Sequence, residues 1–252
     1  MNDLLELLSI AGKTARAAGD TLRKSTDAQR TVHFEDAKDV KLKADLDTEA
    51  LIRQMLQAAA PLPVIGEEQG GDATLTSRYE PYWVIDPLDG TFNYQRGVPL
   101  TCVSIGLMRG ETPVLGAIYD FNRDELFTGL AGHGYFINGK ATKPRWAATT
   151  ALASLQTGFP TGRDFSDAAL KEFVGKIQGF QKIRAIGSAA LSLAWVSCGR
   201  FDVYFEEGIR LWDVAAGLAL VQAAGGVVKM APSKTGKFLA YDVWAAGNPA
   251  LL

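Results

Sequence analysis

The segment Tyr82-Trp83-Val84-Ile85-Asp86-Pro87-Leu88-Asp89-Gly90-Thr91 is the place where a run of apolar residues ends abruptly in two carboxylates. The apolar residues before Asp86 predict a buried strand that stops at turn-forming residues. Asp86 and Asp89 then share one tight turn, and like charges this close disfavour joint ionisation unless a cation neutralises them. A plain surface turn is the alternative, because Asp, Pro and Gly are ordinary turn formers. The other carboxylates of the chain decide between the two interpretations.

Length and composition indicate an ordinary globular protein. The chain has 252 residues, of which 47% are hydrophobic and 21% charged, enough for one large domain or two closely packed halves. A net charge of -2 without a dense basic run argues against nucleic acid as the main partner. The first twelve residues carry Asp3 and Glu6 and no basic region, and no apolar segment is long enough for a bilayer. We therefore expect a cytoplasmic protein without a membrane partner.

Cysteine and histidine are too sparse for several common kinds of site. Cys102 and Cys198 are far apart in apolar surroundings, which favours buried thiols over a disulfide or a zinc pair. His33 and His133 have no Cys or His at ligand spacing. A zinc site and a Ser-His-Asp triad therefore lack their components.

In the first half, hydrophobic periodicity predicts helices at both ends of a polar segment. An amphipathic helix ends around Lys24, and a second helix runs from about Asp47 to Ala60, with Asp45 or Asp47 as its N-cap. Residues 25–40 between them are predicted to be an exposed loop or a short hairpin. A short strand over residues 63–68 again ends in carboxylates, and residues 100–126 predict an antiparallel meander.

The second half begins where the pattern changes at Lys143-Pro144. Helices are predicted over residues 165–178, 189–196 and 212–224, and short strands lie between and after them. We expect both halves to mix helices with mostly antiparallel strands. The predicted division is an N-terminal half, residues 1–143, with the metal-binding motifs, and a C-terminal half, residues 144–252, with the substrate-binding residues, packed as one unit.

Carboxylates recur at the ends of predicted elements. They are Asp45, Glu67 with Glu68, Asp86 with Asp89, and Asp213. Taken singly, Asp45 or Asp213 is an ordinary N-cap and Glu67-Glu68 a solvated strand end. Taken together, these all-oxygen ligands favour Mg²⁺ or Mn²⁺ over zinc. They also favour more than one ion, because so many carboxylates would repel one another around a single ion.

A phosphate site is predicted next to these carboxylates. Gly90-Thr91 resembles the start of a short helix, where backbone N–H groups without partners bind phosphate. The sequence has no G-x-x-x-x-G-K-[ST] motif, so ATP is not the expected ligand. Two metal ions beside a phosphate cradle are suited to hydrolysis of a phosphate monoester by a metal-activated water.

Three segments resemble the signatures of the inositol monophosphatase family: Gly66-Glu67-Glu68, Trp83 to Thr91, and Trp212-Asp213-Val214-Ala215-Ala216-Gly217. The resemblance covers nearly the whole chain. It implies an α/β (α+β) fold, a layered α-β-α-β-α sandwich of the inositol monophosphatase and fructose-1,6-bisphosphatase type with mostly antiparallel sheets. It further implies magnesium dependence, lithium sensitivity and a homodimer.

The resemblance also implies roles for individual residues. Two or three Mg²⁺ ions, for which Mn²⁺ is a possible substitute, would be bound by Glu67, Asp86, the carbonyl of Leu88, Asp89 and Asp213. Asp45, Thr91 and Glu67 would be catalytic, with Thr91 and Asp45 polarising the attacking water. Phosphate and alcohol would be bound by Gly90, Thr91, Gly187, Ser188, Ala189, Glu206 and Asp213.

The sequence also departs from the family pattern. Lys41 and Lys43 stand where uncharged residues are common, and Arg210 lies between Glu206 and Asp213, where it could pair with a carboxylate or a second substrate phosphate. The preferred function is hydrolysis of inositol 1-phosphate. The alternatives are fructose 1,6-bisphosphate or another sugar phosphate, a nucleotide 3′-phosphate, or a regulatory binding protein on the same fold.

Overall fold

The computed structural model describes residues 2–24, 32–35, 40–159 and 164–252. Its six α-helices in these ranges are α1 (Asn2–Arg23), α2 (Lys43–Ala59), α3 (Thr91–Gln95), α4 (Asp167–Ile177), α5 (Ala189–Ser197) and α6 (Leu211–Ala223). The strands of the first half are β1 (Val32–Glu35), β2 (Val40–Leu42), β3 (Val64–Gly66), β4 (Pro81–Asp89), β5 (Cys102–Arg109), β6 (Thr112–Asp120), β7 (Glu125–Leu130), β8 (Gly134–Ile137) and β9 (Lys140–Ala141). Those of the second half are β10 (Ser154–Thr157), β11 (Lys182–Arg184), β12 (Val203–Arg210), β13 (Val227–Pro232) and β14 (Ala240–Ala246).

Two large sheets separate three helical layers. The seven-stranded sheet has the order β3-β4-β5-β6-β7-β8-β9, and the five-stranded sheet has the order β11-β10-β12-β14-β13. One hydrophobic cluster packs α1 and α2 on the seven-stranded sheet, a second packs α5 and α6 between the sheets, and another packs α4 on the far face of the five-stranded sheet. The layered α-β-α-β-α fold is therefore confirmed.

Strand β4 is buried on both faces, in agreement with its apolar sequence. Trp83 and Ile85 belong to the cluster with α1 and α2, whereas Tyr82 and Val84 belong to the cluster with α6. Successive side chains of a strand point to opposite faces, so a strand between two helical layers needs apolar residues at every position. Burial of this strand places its carboxyl end, with Asp86 and Asp89, deep in the protein.

The five-stranded sheet departs from the mostly antiparallel expectation for the second half. β10 pairs in parallel with β11 and with β12, whereas β14 pairs antiparallel with β12 and with β13. Parallel neighbours need a crossover connection, and α4 and α5 supply it. Over the whole described chain, antiparallel pairings remain in the majority.

Helix α2 begins earlier than predicted. It begins at Lys43, with Leu42 as its N-cap, so Asp45 is the third helical residue and neither Asp45 nor Asp47 is the N-cap. Asp45 Oδ2 instead accepts a hydrogen bond from the Leu42 N–H at 2.5 Å. For residues 25–40, β1 pairs antiparallel with β2, which fits the hairpin alternative, and residues 25–31 and 36–39 lie outside the described residues.

Three glycines in register across β5, β6 and β7 form a shallow groove for α6. Gly106 pairs with Gly116, and Gly116 pairs with Gly129. A Cβ atom added at Gly116 would lie 2.1 Å from the carbonyl oxygen of Ala216, and one at Gly106 would lie 2.9 Å from the Ala216 nitrogen. The helix backbone therefore lies directly on the sheet, and this glycine groove sets the height of α6.

We expect Gly116→Ala to destabilise the protein by about 3 kcal/mol, because an added methyl group must push α6 away from the sheet. That loss corresponds to a fall in Tm of about 6–12 °C for a chain of this size. Thermal unfolding by circular dichroism measures it. Gly175→Ala on α4 is the matched control, since its Cβ would meet nothing within 4 Å. It should raise the Tm slightly, and equal effects of the two substitutions would contradict the groove.

Among the residues that the structure describes, no helix is long and apolar enough to cross a membrane.

Candidate metal and phosphate site

The two aspartates of the opening segment lie at a register shift in β4. Asp86 pairs with Ser104 and Asp89 with Cys102, so the three-residue step on β4 faces a two-residue step on β5. An extra residue of this kind bends a strand and re-aims its side chains, and it also accommodates a proline inside a strand. The sequence Asp86-Pro87-Leu88-Asp89 thus places both carboxylates at one edge of the sheet. Asp86 is 1% and Asp89 7% exposed.

Asp86 meets carboxylates from two other segments. One oxygen atom each from Glu67, Asp86 and Asp213 lie within 4.8 Å of one another. Glu67 follows β3, which is parallel to β4, and Asp213 lies in the first turn of α6. Asp86 Oδ1 accepts a hydrogen bond from the Leu88 N–H at 2.9 Å, whereas Oδ2 is buried without a hydrogen-bond partner. An orphaned buried carboxylate oxygen facing two further carboxylates fits a bound divalent cation.

Asp89 is held by the N-terminus of α5. Its Oδ2 accepts hydrogen bonds from the hydroxyl of Ser188 and from the Ala190 N–H at 2.8 Å, and its Oδ1 accepts one from the Ala189 N–H at 3.3 Å. Gly187, with φ +71°, makes the turn that leads into this helix. Gly187, Ser188 and Ala189 were predicted to contact substrate; in the structure they line the adjacent pocket and also fix a predicted metal ligand.

The electrostatics of the cluster favour protonation when no cation is bound. Burial, then the neighbouring Glu67, Asp89 and Asp213, raise the pKa of Asp86 well above its usual value. Burial, then Asp89 and Glu206, raise the pKa of Asp213 well above its usual value, partly opposed by Arg210. Burial also raises the pKa of Asp89, against the hydrogen bonds from Ser188 and the start of α5. Without a cation, these three carboxyl groups therefore hold their protons more tightly than an isolated aspartate does.

Asp45 and Thr91 lie beside the carboxyl end of β4. The Thr91 hydroxyl is 3.4 Å from Asp45 Oδ1 and 3.1 Å from the carbonyl oxygen of Leu88. Gly90, with φ +91°, precedes α3, and a Cβ atom there would lie 2.8 Å from the Leu100 carbonyl oxygen. The first N–H groups of a helix lack intrahelical partners, so the Gly90-Thr91 turn offers donors to an anion.

A pocket of about 200 Å³ opens beside Asp89 and Asp213. Its walls include Ser188, Ala189, Glu206, Ile209 and Phe159. Glu206 is 5% exposed, and its Oε2 accepts a hydrogen bond from the Tyr204 hydroxyl at 2.8 Å. Gly158 packs on this carboxylate, since an added Cβ atom would lie 2.6 Å from Oε2. The structure therefore brings Glu206 to the same cavity as the two aspartates.

Of the basic residues noted in the sequence, Lys43 and Arg210 are described by the structure at the side-chain level, and neither lines this pocket. Arg210 is the N-cap residue of α6; it donates a hydrogen bond to the Phe238 carbonyl oxygen, and its guanidinium lies 5.8 Å from the Trp212 ring centroid. Lys43 is the exposed first residue of α2, and the side chain of Lys41 lies outside the described residues. Asp213 accepts a hydrogen bond from the Arg210 N–H at 3.3 Å and is the third residue of α6 rather than its N-cap.

Two residues that support the site were not predicted from the sequence. Asn93 donates from Nδ2 to the carbonyl oxygens of Leu100 at 2.9 Å and Ile186 at 2.8 Å, which ties α3 to the turn before α5. Glu49, on α2, is fully buried and accepts hydrogen bonds from the turn that carries Glu67. Nothing in the local sequence indicated the long-range contacts of Asn93. The burial of Glu49 could have been predicted, because Glu49 shares a helix face with the apolar Ile52 and Leu56.

The layered fold, with buried carboxylates beside a polar pocket, fits an enzyme of the phosphoric monoester hydrolase class. The family model described as "Inositol monophosphatase family" matches residues 3–251. The chain belongs to the inositol monophosphatase family, as its three signature segments predicted.

Relatives with two kinds of name are similar to this chain. "Nus factor SuhB" of Xylella fastidiosa is 39% identical over 225 residues, 88% of this chain and 80% of that protein. "Inositol monophosphatase 1" of Solanum lycopersicum is 36% identical over 255 residues, 98% of this chain and 92% of that protein. The solved structure of the inositol monophosphatase from Anabaena (Nostoc) is 35% identical, with a TM-score of 0.80 over 98% of this chain and 92% of that one.

Proposed function

We propose that the protein is a Mg²⁺-dependent phosphatase that hydrolyses myo-inositol 1-phosphate or a closely similar neutral polyol monophosphate. One observation carries the proposal: the orphaned Asp86 oxygen lies among three converging carboxylates, next to a pocket that ends at Glu206. Membership of the inositol monophosphatase family supports the reaction class.

The carboxylates fit a magnesium site by their donor set. Glu67, Asp86 and the Leu88 carbonyl would hold one ion, and Asp86, Asp89 and Asp213 a second; these are hard oxygen ligands. Mn²⁺ is the expected substitute, and a third, weaker ion would lie near Asp45. When bound, the ions would supply charge stabilisation for the phosphate and its leaving group.

Asp45, Gly90 and Thr91 would act on water and phosphate. The Thr91 hydroxyl, beside Asp45, would orient the attacking water, and the Asp45 carboxylate would take up its proton through this hydroxyl. The N–H groups of Gly90 and Thr91 would donate to phosphate oxygens. Ser188 and the first N–H groups of α5 keep Asp89 in place while the alcohol lies against Ala189.

The charge of the pocket favours a neutral alcohol. Its walls hold Asp89, Glu206 and Asp213, and no lysine, arginine or histidine of the described chain lines it. A carboxylate accepts hydrogen bonds from two neighbouring hydroxyl groups, so Glu206 suits a diol. When Asp89 and Asp213 hold a metal ion, a second phosphate here would still face the Glu206 carboxylate with no basic side chain of the described residues beside it, at a cost of about 1.5–3 kcal/mol for one like-charge pair about 6–10 Å apart. These considerations favour a monophosphate over fructose 1,6-bisphosphate.

We expect kcat/KM for myo-inositol 1-phosphate to exceed that for fructose 1,6-bisphosphate by about 10- to 100-fold, the ratio equivalent to that energy. Phosphate release in the presence of Mg²⁺ measures both. As a control, Glu206→Gln should raise KM for the inositol ester but leave hydrolysis of p-nitrophenyl phosphate nearly unchanged, because that ester has no hydroxyl groups for Glu206. Equal turnover of the bisphosphate or of a nucleotide 3′-phosphate would contradict the substrate assignment.

A regulatory binding protein on the same fold remains the alternative of a different class, and some relatives carry the name Nus factor SuhB. Such a role gives no physical reason for converging buried carboxylates. A partner that stays bound to an Asp86→Asn protein, with no phosphatase activity in the wild type, would favour it. Lithium inhibition, a homodimer and a cytoplasmic location remain predictions.

A further inference from the structure

Glu49 is a buried carboxylate that the proposed reaction does not use. It lies on α2 one turn after Asp45 and is 0% exposed. Its Oε1 accepts hydrogen bonds from Arg53 Nε at 2.7 Å and from the Gln69 N–H at 3.1 Å, and its Oε2 accepts one from the Glu68 N–H at 2.8 Å. Two successive backbone N–H groups thus converge on this one side chain.

Those N–H groups belong to the turn that carries Glu67. The turn, Gly66 to Gly70, closes on itself, because the Gly66 N–H donates to the Gly70 carbonyl oxygen at 3.0 Å. It also packs directly on Glu49, since a Cβ atom added at Gly66 would lie 2.7 Å from Glu49 Oε1. We call Gly66 to Gly70 the Glu67 turn.

Arg53 binds the C-terminal end of the Glu67 turn. Its Nη2 donates to the Gly70 carbonyl oxygen at 2.8 Å, while its Nε is bonded to Glu49. The carboxylate therefore holds the middle of the Glu67 turn and the guanidinium holds its end. Both come from one helix, which also presents Asp45 to Thr91.

We propose that Glu49, supported by Arg53, is a positioning residue that fixes Glu67 at the distance from Asp86 at which the two carboxylates can share a cation. The backbone of Glu67 lies between Gly66, which contacts Glu49, and Glu68, which donates to it. A buried ion pair adds little to stability compared with apolar side chains of the same volume. Its specific contribution here is the conformation of the Glu67 turn. This inference rests on the metal role proposed for Glu67.

Glu49→Gln tests the inference by metal binding rather than by turnover. The amide keeps the shape but replaces one acceptor oxygen with an NH₂ donor, so either the Glu68 N–H, or the Gln69 N–H together with Arg53 Nε, loses its acceptor. We expect Mn²⁺, titrated by electron paramagnetic resonance well below the Tm, to bind about 10- to 100-fold more weakly, as is typical when a group that orients a metal ligand is lost. The Mg²⁺ concentration for half-maximal activity should rise similarly, with KM for substrate at saturating Mg²⁺ nearly unchanged.

Glu125→Gln is the matched control. Glu125, on β7, also binds an arginine, Arg200, through both oxygens, at 2.5 Å each, and it lies outside the residues that line the site. It should leave Mn²⁺ binding unchanged even if it lowers the Tm. A purely structural role of Glu49 would give the two variants the same result.

Arg53→Lys is a milder second variant. It keeps a cation beside Glu49 and loses the guanidinium bridge to Gly70, so it should weaken Mn²⁺ binding in the same direction but less. Unchanged Mn²⁺ affinity in a folded Glu49→Gln protein would overturn the inference; if that variant does not fold, unchanged affinity in Arg53→Lys would do so. A wild type that binds Mn²⁺ in a Glu49-dependent way but hydrolyses no phosphate ester would refute the proposed function alone.

Discussion

Asp86→Asn should lower kcat for a phosphate monoester by about a thousand-fold and leave the protein folded. Asp86 is the ligand that both proposed ions share, and losing the charge stabilisation of such ions costs about 4 kcal/mol, equivalent to about three powers of ten in rate. Single-turnover and steady-state phosphate release at saturating Mg²⁺ measure the effect. Activity within tenfold of the wild type would contradict the shared-ligand assignment.

The same substitution should not destabilise the metal-free protein. Burial and three neighbouring carboxylates raise the pKa of Asp86, so its charged form is disfavoured, and an amide removes that repulsion. The amide oxygen can still accept the hydrogen bond from the Leu88 N–H. Thermal unfolding in a chelator should therefore show a Tm equal to or above that of the wild type.

Asp120→Asn is the control with the opposite pattern. Asp120 is also fully buried, but it is paired: its Oδ2 accepts from Arg123 Nη1 and its Oδ1 from the N–H groups of Asn122 and Arg123. Weakening these charge-assisted bonds should cost about 2 kcal/mol of stability, with activity retained. If Asp86→Asn loses activity but not stability, and Asp120→Asn loses stability but not activity, the first carboxylate is functional and the second is structural.

Added Mg²⁺ should raise the Tm, and the rise should grow with pH. The raised pKa values of Asp86, Asp89 and Asp213 mean that the metal-free folded protein keeps protons that the unfolded chain releases above about pH 4. Its stability therefore falls as the pH rises from about 4 through the folded pKa values. A cation binds the deprotonated carboxylates and removes this loss, so its stabilising effect is larger at higher pH.

At 100 times the dissociation constant, a ligand stabilises by about 2.7 kcal/mol, equivalent to about 5–10 °C in Tm for a chain of this length. Differential scanning fluorimetry between pH 5.5 and 8.5, with Mg²⁺ or with chelator, measures the shift. Asp86→Asn should show only a small one. A Tm shift that is the same at both ends of this range would show that the carboxylates do not titrate with metal binding.

Local patterns in the sequence were sufficient for the apolar part of β4 and for the turn that carries Glu67. Apolar runs that stop at carboxylates specify both, and the order of the signature segments then predicted the layered fold. The end of β4 was predicted wrongly, because the strand continues through a register shift to Asp89 and the two aspartates do not share a tight turn. The start of α2 was predicted wrongly, because Leu42 is not a capping residue and Asp45 accepts the Leu42 N–H from inside the helix. An aspartate before a helix and one in its first turn look alike in sequence.

Long-range partners could not be predicted from local patterns. Asp89 is held by Ser188, about a hundred positions later in the chain, and only the fold brings the two together. Glu49 and Arg53 have the spacing of an exposed helical ion pair, which hides that the carboxylate is buried under a turn. The site roles of the residues and the division at residue 143 remain predictions that the proposed variants test.

The glycine groove under α6 links the stability of the core to the position of a predicted metal ligand. The helix lies on Gly106 and Gly116 through Ala216, which is less than one turn from Asp213. A larger side chain in the groove would shift Asp213 relative to Asp86 as well as loosen the core. Selection for activity alone would therefore keep small residues in this part of the core. Larger side chains introduced there by design should weaken metal binding before they prevent folding.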